Sequence, residues 1–262
     1  MKKFFKLFIS NLFAVIILLP LFVASCSKKD ISDDEAYTNM DAKTLYSQGN
    51  DALQKSEYKK AAEIFSKVTY EFPYDALASK AHVMVIYANY LLEDYDSAIF
   101  SAENYVKTHP ISKYTPYVYY IKALSYYAQI ELPQRDQTMT GEAKLAFTEL
   151  ISRFPTSEYT KDSKAKLALI DDHLAAHEMV IGRYYLNKEE MPAAIQRFKK
   201  VVSDYSTTSQ VEEALSRLVE AYLFLGLKDE AKKNAAVLGH NYPSSQWYKY
   251  SYNLLQSNEK KK

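Results

Sequence analysis

One spacing recurs five times along this chain. An alanine is followed four residues later by an aromatic or small residue, three later by an apolar one, and five later by proline. The five instances are Ala61, Phe65, Val68, Pro73; Ala98, Ala102, Tyr105, Pro110; Ala143, Phe147, Leu150, Pro155; Ala194, Phe198, Val201 with Ser206 in the proline's place; and Ala231, Ala235, Leu238, Pro243. Offsets of four and seven put the three side chains on one helical face. Proline has no amide hydrogen to donate, so it closes each helix. Twelve residues before four of these alanines stand Gly49, Ile86, Gly182 and Val219. A small residue at that slot lets a preceding helix approach closely; Ile86 and Val219 depart from the rule.

Ala61 to Ala98 and Ala194 to Ala231 are each 37 residues, whereas Ala98 to Ala143 is 45. With Ala123 as the third small slot, the eight extra residues fall between the two helices of the third unit, around 132–137. Fourteen more precede Gly182. The stretch Tyr159 to Asn187 has no proline and one glycine, which predicts a single helix lengthened by about 21 Å at 1.5 Å per residue. The pattern resembles the second helix of a tetratricopeptide repeat. That resemblance implies an all-α fold, an α-solenoid of five tetratricopeptide-like helix pairs, with an insertion in repeat 3 and an extended first helix in repeat 4. Each pair would bury its apolar face only by stacking on its neighbours.

Five glycines in 262 residues argue against a Gly-rich nucleotide-binding fold and against an all-β chain full of tight turns. A net charge of +1 gives no support for nucleic-acid binding. The single cysteine excludes an intramolecular disulfide and any multi-cysteine metal centre. It sits at Cys26, after basic Lys2, Lys3 and Lys6, an apolar run from Leu12 to Ala24, and the small residues Ala24 and Ser25. The run has 13 residues and contains Pro20, short of the ~20 that span a bilayer. Small residues before a lone cysteine resemble the lipobox of bacterial lipoproteins. This implies a signal peptide over 1–25, cleavage, and acylation of Cys26 with palmitate-type chains. Each buried CH₂ contributes about 0.8 kcal/mol, so two or more chains anchor stably. Residues 26–40 are polar and aperiodic and read as a flexible tether. The repeat domain is expected over 41–256, and 257–262 as a disordered tail.

A lipobox followed by five such units resembles the BamD family, the lipoproteins of the bacterial β-barrel assembly machinery. The residues carrying this are Arg135-Asp136 ahead of Ala143; Phe154-Pro155-Thr156-Ser157-Glu158-Tyr159 with Asp162; His173-Leu174-Ala175 with Glu178 and Tyr185; and Glu213-Ala214-Leu215 with Ala221-Tyr222 and Leu225-Gly226. Lys166 and His173 stand where arginine is common in the family, and Ser206 replaces a proline. The resemblance implies a non-enzymatic scaffold, lipid-anchored to the outer membrane and facing the periplasm. Its partners would be the barrel-assembly core, through its POTRA domains, and unfolded outer-membrane proteins. No cofactor and no metal are implied. By analogy with tetratricopeptide first helices, Tyr46, Asn50, Tyr87, Tyr90, Tyr120 and Tyr127 face a client-peptide groove. Lys43 and Lys80 lie nearby to attract a terminal carboxylate. Arg197 matches a family arginine on the second helix of repeat 4, implying contact with an acidic POTRA group; its planar fork suits a carboxylate.

Two other readings fit parts of the sequence. A generic lipid-anchored repeat adaptor in secretion or cell-envelope coordination would need neither the third-unit insertion nor the long helix. A metal-dependent hydrolase could use His173 and His177, four apart on one face, but Leu174 stands where an HExxH helix needs its catalytic glutamate.

Overall fold

A computed structural model describes residues 37 and 39–260. The chain divides into two units, 1–41 and 42–262. The expected signal peptide, Cys26 and most of the expected 26–40 tether lie outside the described residues. The described part of the first unit holds a turn with Asn39 at φ 69°. None of the described helices is long and apolar enough to cross a membrane.

The described part of the second unit is helical, with eleven helices: α1 (Ala42–Gln54), α2 (Tyr58–Glu71), α3 (Ala78–Leu91), α4 (Tyr95–Thr108), α5 (Thr115–Tyr127), α6 (Thr138–Arg153), α7 (Tyr159–Asn187), α8 (Met191–Asp204), α9 (Val211–Phe224), α10 (Lys228–Asn241) and α11 (Gln246–Lys260). Each helix from α1 to α10 packs on the next, in tetratricopeptide-like pairing, and α11 packs on both α9 and α10. The last helix continues through 257–260, past the expected end of the repeat domain at 256. Glu259 there lies 3.0 Å from Lys232 of α10.

Four of the within-pair turns are built alike. They are three residues long, and their central residues Ser56, Glu93, Glu189 and Gly226 have φ of 60°, 63°, 61° and 75°. The next amide donates five residues back, as in Glu57 N to Ala52 O at 2.9 Å and Glu190 N to Tyr185 O at 3.0 Å. This closes each first helix as a Schellman motif. The α5–α6 connection differs: it runs over residues 128–137. The second helices also end alike, on Phe72, His109, Phe154, Tyr205 and Tyr242, with φ between −134° and −125°. A following proline disfavours the helical region at that residue. Tyr205 adopts the same geometry before Ser206, so the proline is not required there. Its ring lies under Lys144 Nζ, 5.3 Å from the centroid, and Thr208 Oγ1 donates to its carbonyl at 2.8 Å.

The small slot and the aromatic opposite it vary together. A Cβ added to Gly49 would meet Phe65 at 2.7 Å, and one added to Gly182 would meet Phe198 at 2.5 Å. Where the slot is Ile86 or Val219, the opposing residue is Ala102 or Ala235, in the same core cluster. The departures at Ile86 and Val219 are thus exchanges of volume across one seam, which a close-packed interior requires.

Candidate functional site: a tyrosine-lined face and a charge-braced pair

The first helices of successive pairs touch one another: α1 on α3, α3 on α5, α5 on α7. Their shared face carries tyrosines one turn apart. Tyr87 lies 6.5 Å from Tyr117, Tyr117 lies 5.5 Å from Tyr159, and Tyr120 stacks on Tyr159 at 5.0 Å. Offset and tilted aromatic pairs of this kind are favourable beyond their area. Tyr120 donates to Asp162 Oδ2 at 2.6 Å. Burial pushes the Tyr117 hydroxyl far up, with the Tyr87 and Tyr159 hydroxyls adding to it. Burial and then the bond to Asp162 do the same for Tyr120. Both hydroxyls stay protonated, and the single hydrogen of Tyr120 is committed to Asp162.

Beside this cluster lies a cleft of about 780 Å³ where the N-terminal ends of α3, α5 and α7 meet the α6–α7 turn. Tyr114, Tyr117, Phe154 and Tyr159 form apolar walls, and Lys80, Lys113 and Arg153 supply cations. The cations rest over rings: Lys80 is 5.0 Å from the Tyr46 centroid, Lys113 is 4.9 Å from Tyr114 and Arg153 is 5.6 Å from Tyr119. A cation over a ring keeps its charge, but Arg153 Nε also meets Glu149 Oε1 at 2.8 Å, and Glu158 adds a carboxylate to the same lining.

The structure brings together Tyr87, Tyr90 and Tyr120 of the expected groove, with Tyr117 and Tyr159 between them. Lys80 lines the cleft. Tyr46 is buried, 5.3 Å from Phe65, so its ring is spent on the core. Tyr127 packs on Phe147 at 6.1 Å beneath Lys166 and opens on a separate cleft with Leu132 and Leu169. Lys43 is exposed, Asn50 is half-buried, and neither lines the large cleft. Sequence reasoning missed Lys113, Tyr117, Arg153 and Tyr159. Tyr117 sits three before Tyr120, on the same face. Tyr159 opens α7, and its place depended on how the α6–α7 turn returns.

The second region is the seam of α7 and α8. Glu178 is 5% exposed. It accepts from Lys200 Nζ at 2.6 Å and from Arg197 Nη1 at 3.0 Å. Burial alone would raise its pKa, but the bonds from Lys200 and Arg197 outweigh it and hold the carboxyl below its ordinary range. Arg197 is therefore already paired within the chain, with its side chain 39% exposed. A second network joins α7, α9 and α11. Arg183 meets Glu213 at 3.0 Å, Arg217 meets Glu213 and Glu220 at 3.2 and 2.9 Å, and the Arg217 guanidinium lies 5.2 Å from the Trp247 ring. His177 Nδ1 donates to the Pro133 carbonyl at 2.6 Å, tying α7 to the 128–137 connection. Among the described residues no three His, Cys, Asp or Glu side chains gather closely enough to hold a metal ion.

Residues 38–238 match the YfiO family, described as outer membrane lipoprotein. The chain belongs to that family. Curated relatives named outer membrane protein assembly factor BamD agree with this. That of Rickettsia prowazekii is 42% identical over 250 residues, covering 95% of this chain and 98% of its own. That of Caulobacter vibrioides is 38% identical over 242 residues, covering 92% and 79%. Among solved structures, the TPR2AB domain of yeast Sti1 in its pHSP90 complex aligns at 14% identity and a TM-score of 0.42, over 84% of each chain. The protein is accordingly a non-enzymatic outer-membrane lipoprotein that serves as an outer membrane protein assembly factor.

Proposed function

We propose that this chain is a lipid-anchored scaffold of five tetratricopeptide-like repeats, with an insertion in the third at 128–137 and a lengthened first helix in the fourth. Its tyrosine-lined face receives unfolded outer-membrane proteins, and its last two helix pairs dock the barrel-assembly core through POTRA domains. Association with that assembly complex is what its family membership supports. Cys26 is the acylated residue. A Cys26→Ser chain is expected in the soluble fraction, and its persistence in membranes would remove the anchor from that residue.

The observation that carries the client reading is the cleft of about 780 Å³, where aromatic walls meet Lys80, Lys113 and Arg153. An extended peptide ending in an aromatic residue offers a ring for the walls and a carboxylate for the cations. A charge-assisted bond to a carboxylate is roughly twice as strong as a neutral one. A fluorescent peptide ending in phenylalanine, compared with its C-terminal amide, tests this. Lys113→Glu with Arg153→Glu is expected to weaken the acid form about tenfold and leave the amide unchanged. Equal loss for both forms, or for neither, would remove carboxylate recognition from the cleft.

On the docking side, Arg197 and Lys200 present the half-exposed edge of their pair with Glu178. An acidic POTRA group would meet these two cations.

A further inference from the structure

The second pair has another opening, on the side of its second helices. Helices α2 and α4 both pack on α3, and between them lies a slot of about 300 Å³ with α3 as its floor. Its two rims are aromatic and unusually bare: Tyr70 of α2 is 83% exposed and Phe100 of α4 is 68% exposed. Its polar lining is neutral. No Lys, Arg, Asp or Glu borders it, in a chain in which those residues make up 25%. His82 on the floor meets Ser101 Oγ at 3.2 Å. Ser66, Asn89, Ser97 and Asn104 are half-buried, and their side chains make no hydrogen bond within the described chain.

We infer that this slot is a second docking surface, separate from the tyrosine-lined cleft, for an extended and uncharged polypeptide segment. Three features select that occupant. The free groups are amides and hydroxyls, which both donate and accept; an extended backbone presents one donor and one acceptor per residue and matches them. The polar groups on α4 run in a line rather than around a ring: the free Ser97 and Asn104, with Ser101 between them on His82, follow one face at offsets of four and seven. That row is about 10 Å long, the reach of about three residues of extended chain. Finally, a charged ligand would shed water at the slot without gaining a counter-charge, whereas bare aromatics around a charge-poor centre are the usual makings of a protein contact.

The test uses the full chain in detergent and three labelled probes. One is an acetylated, amidated octapeptide of alternating serine and valine. The second is its counterpart with aspartate at every serine. The third is a tetrasaccharide of N-acetylglucosamine. The first is expected to bind saturably. The variants Asn89→Ala with Asn104→Ala, and separately Phe100→Ser, should each weaken it about tenfold with unchanged thermal unfolding, while Lys113→Glu leaves it intact. Phe100 is exposed enough that its change does not threaten the fold. The proposal is overturned by absence of saturable binding, by equal affinity for the aspartate probe, by preference for the sugar, or by variants that bind as well as the parent. Because the probe lacks a terminal carboxylate, failure here leaves the reading of the tyrosine-lined cleft untouched.

Discussion

The second and fourth helix pairs share one backbone frame and fill it in opposite ways. Both turn through a left-handed glutamate, Glu93 or Glu189, and both end on an aromatic ring, His109 or Tyr205. In the second pair the slot is Ile86 against Ala102, and the polar groups are neutral: Tyr105 OH donates to Ser112 Oγ and shares a bond with Ser79 Oγ, both 2.9 Å, beside His82 on Ser101. In the fourth pair the slot is Gly182 against Phe198, and the polar groups are ions, Glu178 with Arg197 and Lys200. The frame is thus set by turn geometry and helix ends, while the filling sets what each pair can meet. The neutral seam underlies the uncharged, hydroxyl-lined slot between α2 and α4. The ionic seam gives the fourth pair a cationic edge.

The largest effect expected from disturbing this contrast is in the slot. Gly182→Val would drive its methyls into Phe198 and should destabilise the chain by about 2–3 kcal/mol, read by urea unfolding. Adding Phe198→Ala copies the Val219–Ala235 seam. The double variant should then be more stable than Phe198→Ala alone, whose cavity costs about 3–5 kcal/mol. Additive losses would mean that the two side chains are not exchanging volume.

A smaller effect separates the polar fillings by pH. The Glu178 pKa is lowered, so its pair stabilises the fold above the ordinary 4.5 and that contribution is lost as pH falls below it. Burial, then the neighbouring His109, also lowers His82 from 6.5, so its neutral form stabilises the fold above 6.5 and the benefit fades as pH falls through the lowered value. Glu178→Gln should flatten the low-pH limb of a stability profile, and His82→Gln the limb that begins nearer neutrality. A single common window for both would show that the seams do not titrate separately. Glu178→Gln also tests docking, because it breaks the internal pair and keeps the cation. It should retain binding to the barrel-assembly core, whereas Arg197→Gln weakens it. Equal binding by both would assign Arg197 to the fold alone.

Much of the architecture is legible in the primary structure because it is periodic. The face of Ala194, Phe198 and Val201 and the proline-free run from Tyr159 to Asn187 announce their helices through local spacing. The site is less legible. Tyr46 and Tyr120 occupy the same slot-relative position, yet one is buried against Phe65 and the other hydrogen-bonds Asp162 at the rim. Arg197 reads as an available cation, and only the packing of α7 on α8 brings Glu178 beneath it.

The sequence alone determined the recurring apolar face of the second helices, the unbroken run from Tyr159 to Asn187, and to which lipoprotein family the chain is similar. Those properties follow from spacing along one strand of covalent bonds. The tertiary structure decided that Ile86 is accommodated by Ala102, that Tyr159 completes a cleft begun by Tyr114 and Tyr117, and that Lys113 and Arg153 share it. These groups lie tens of residues apart, and their meeting depends on how each turn directs the next helix, which no local pattern encodes.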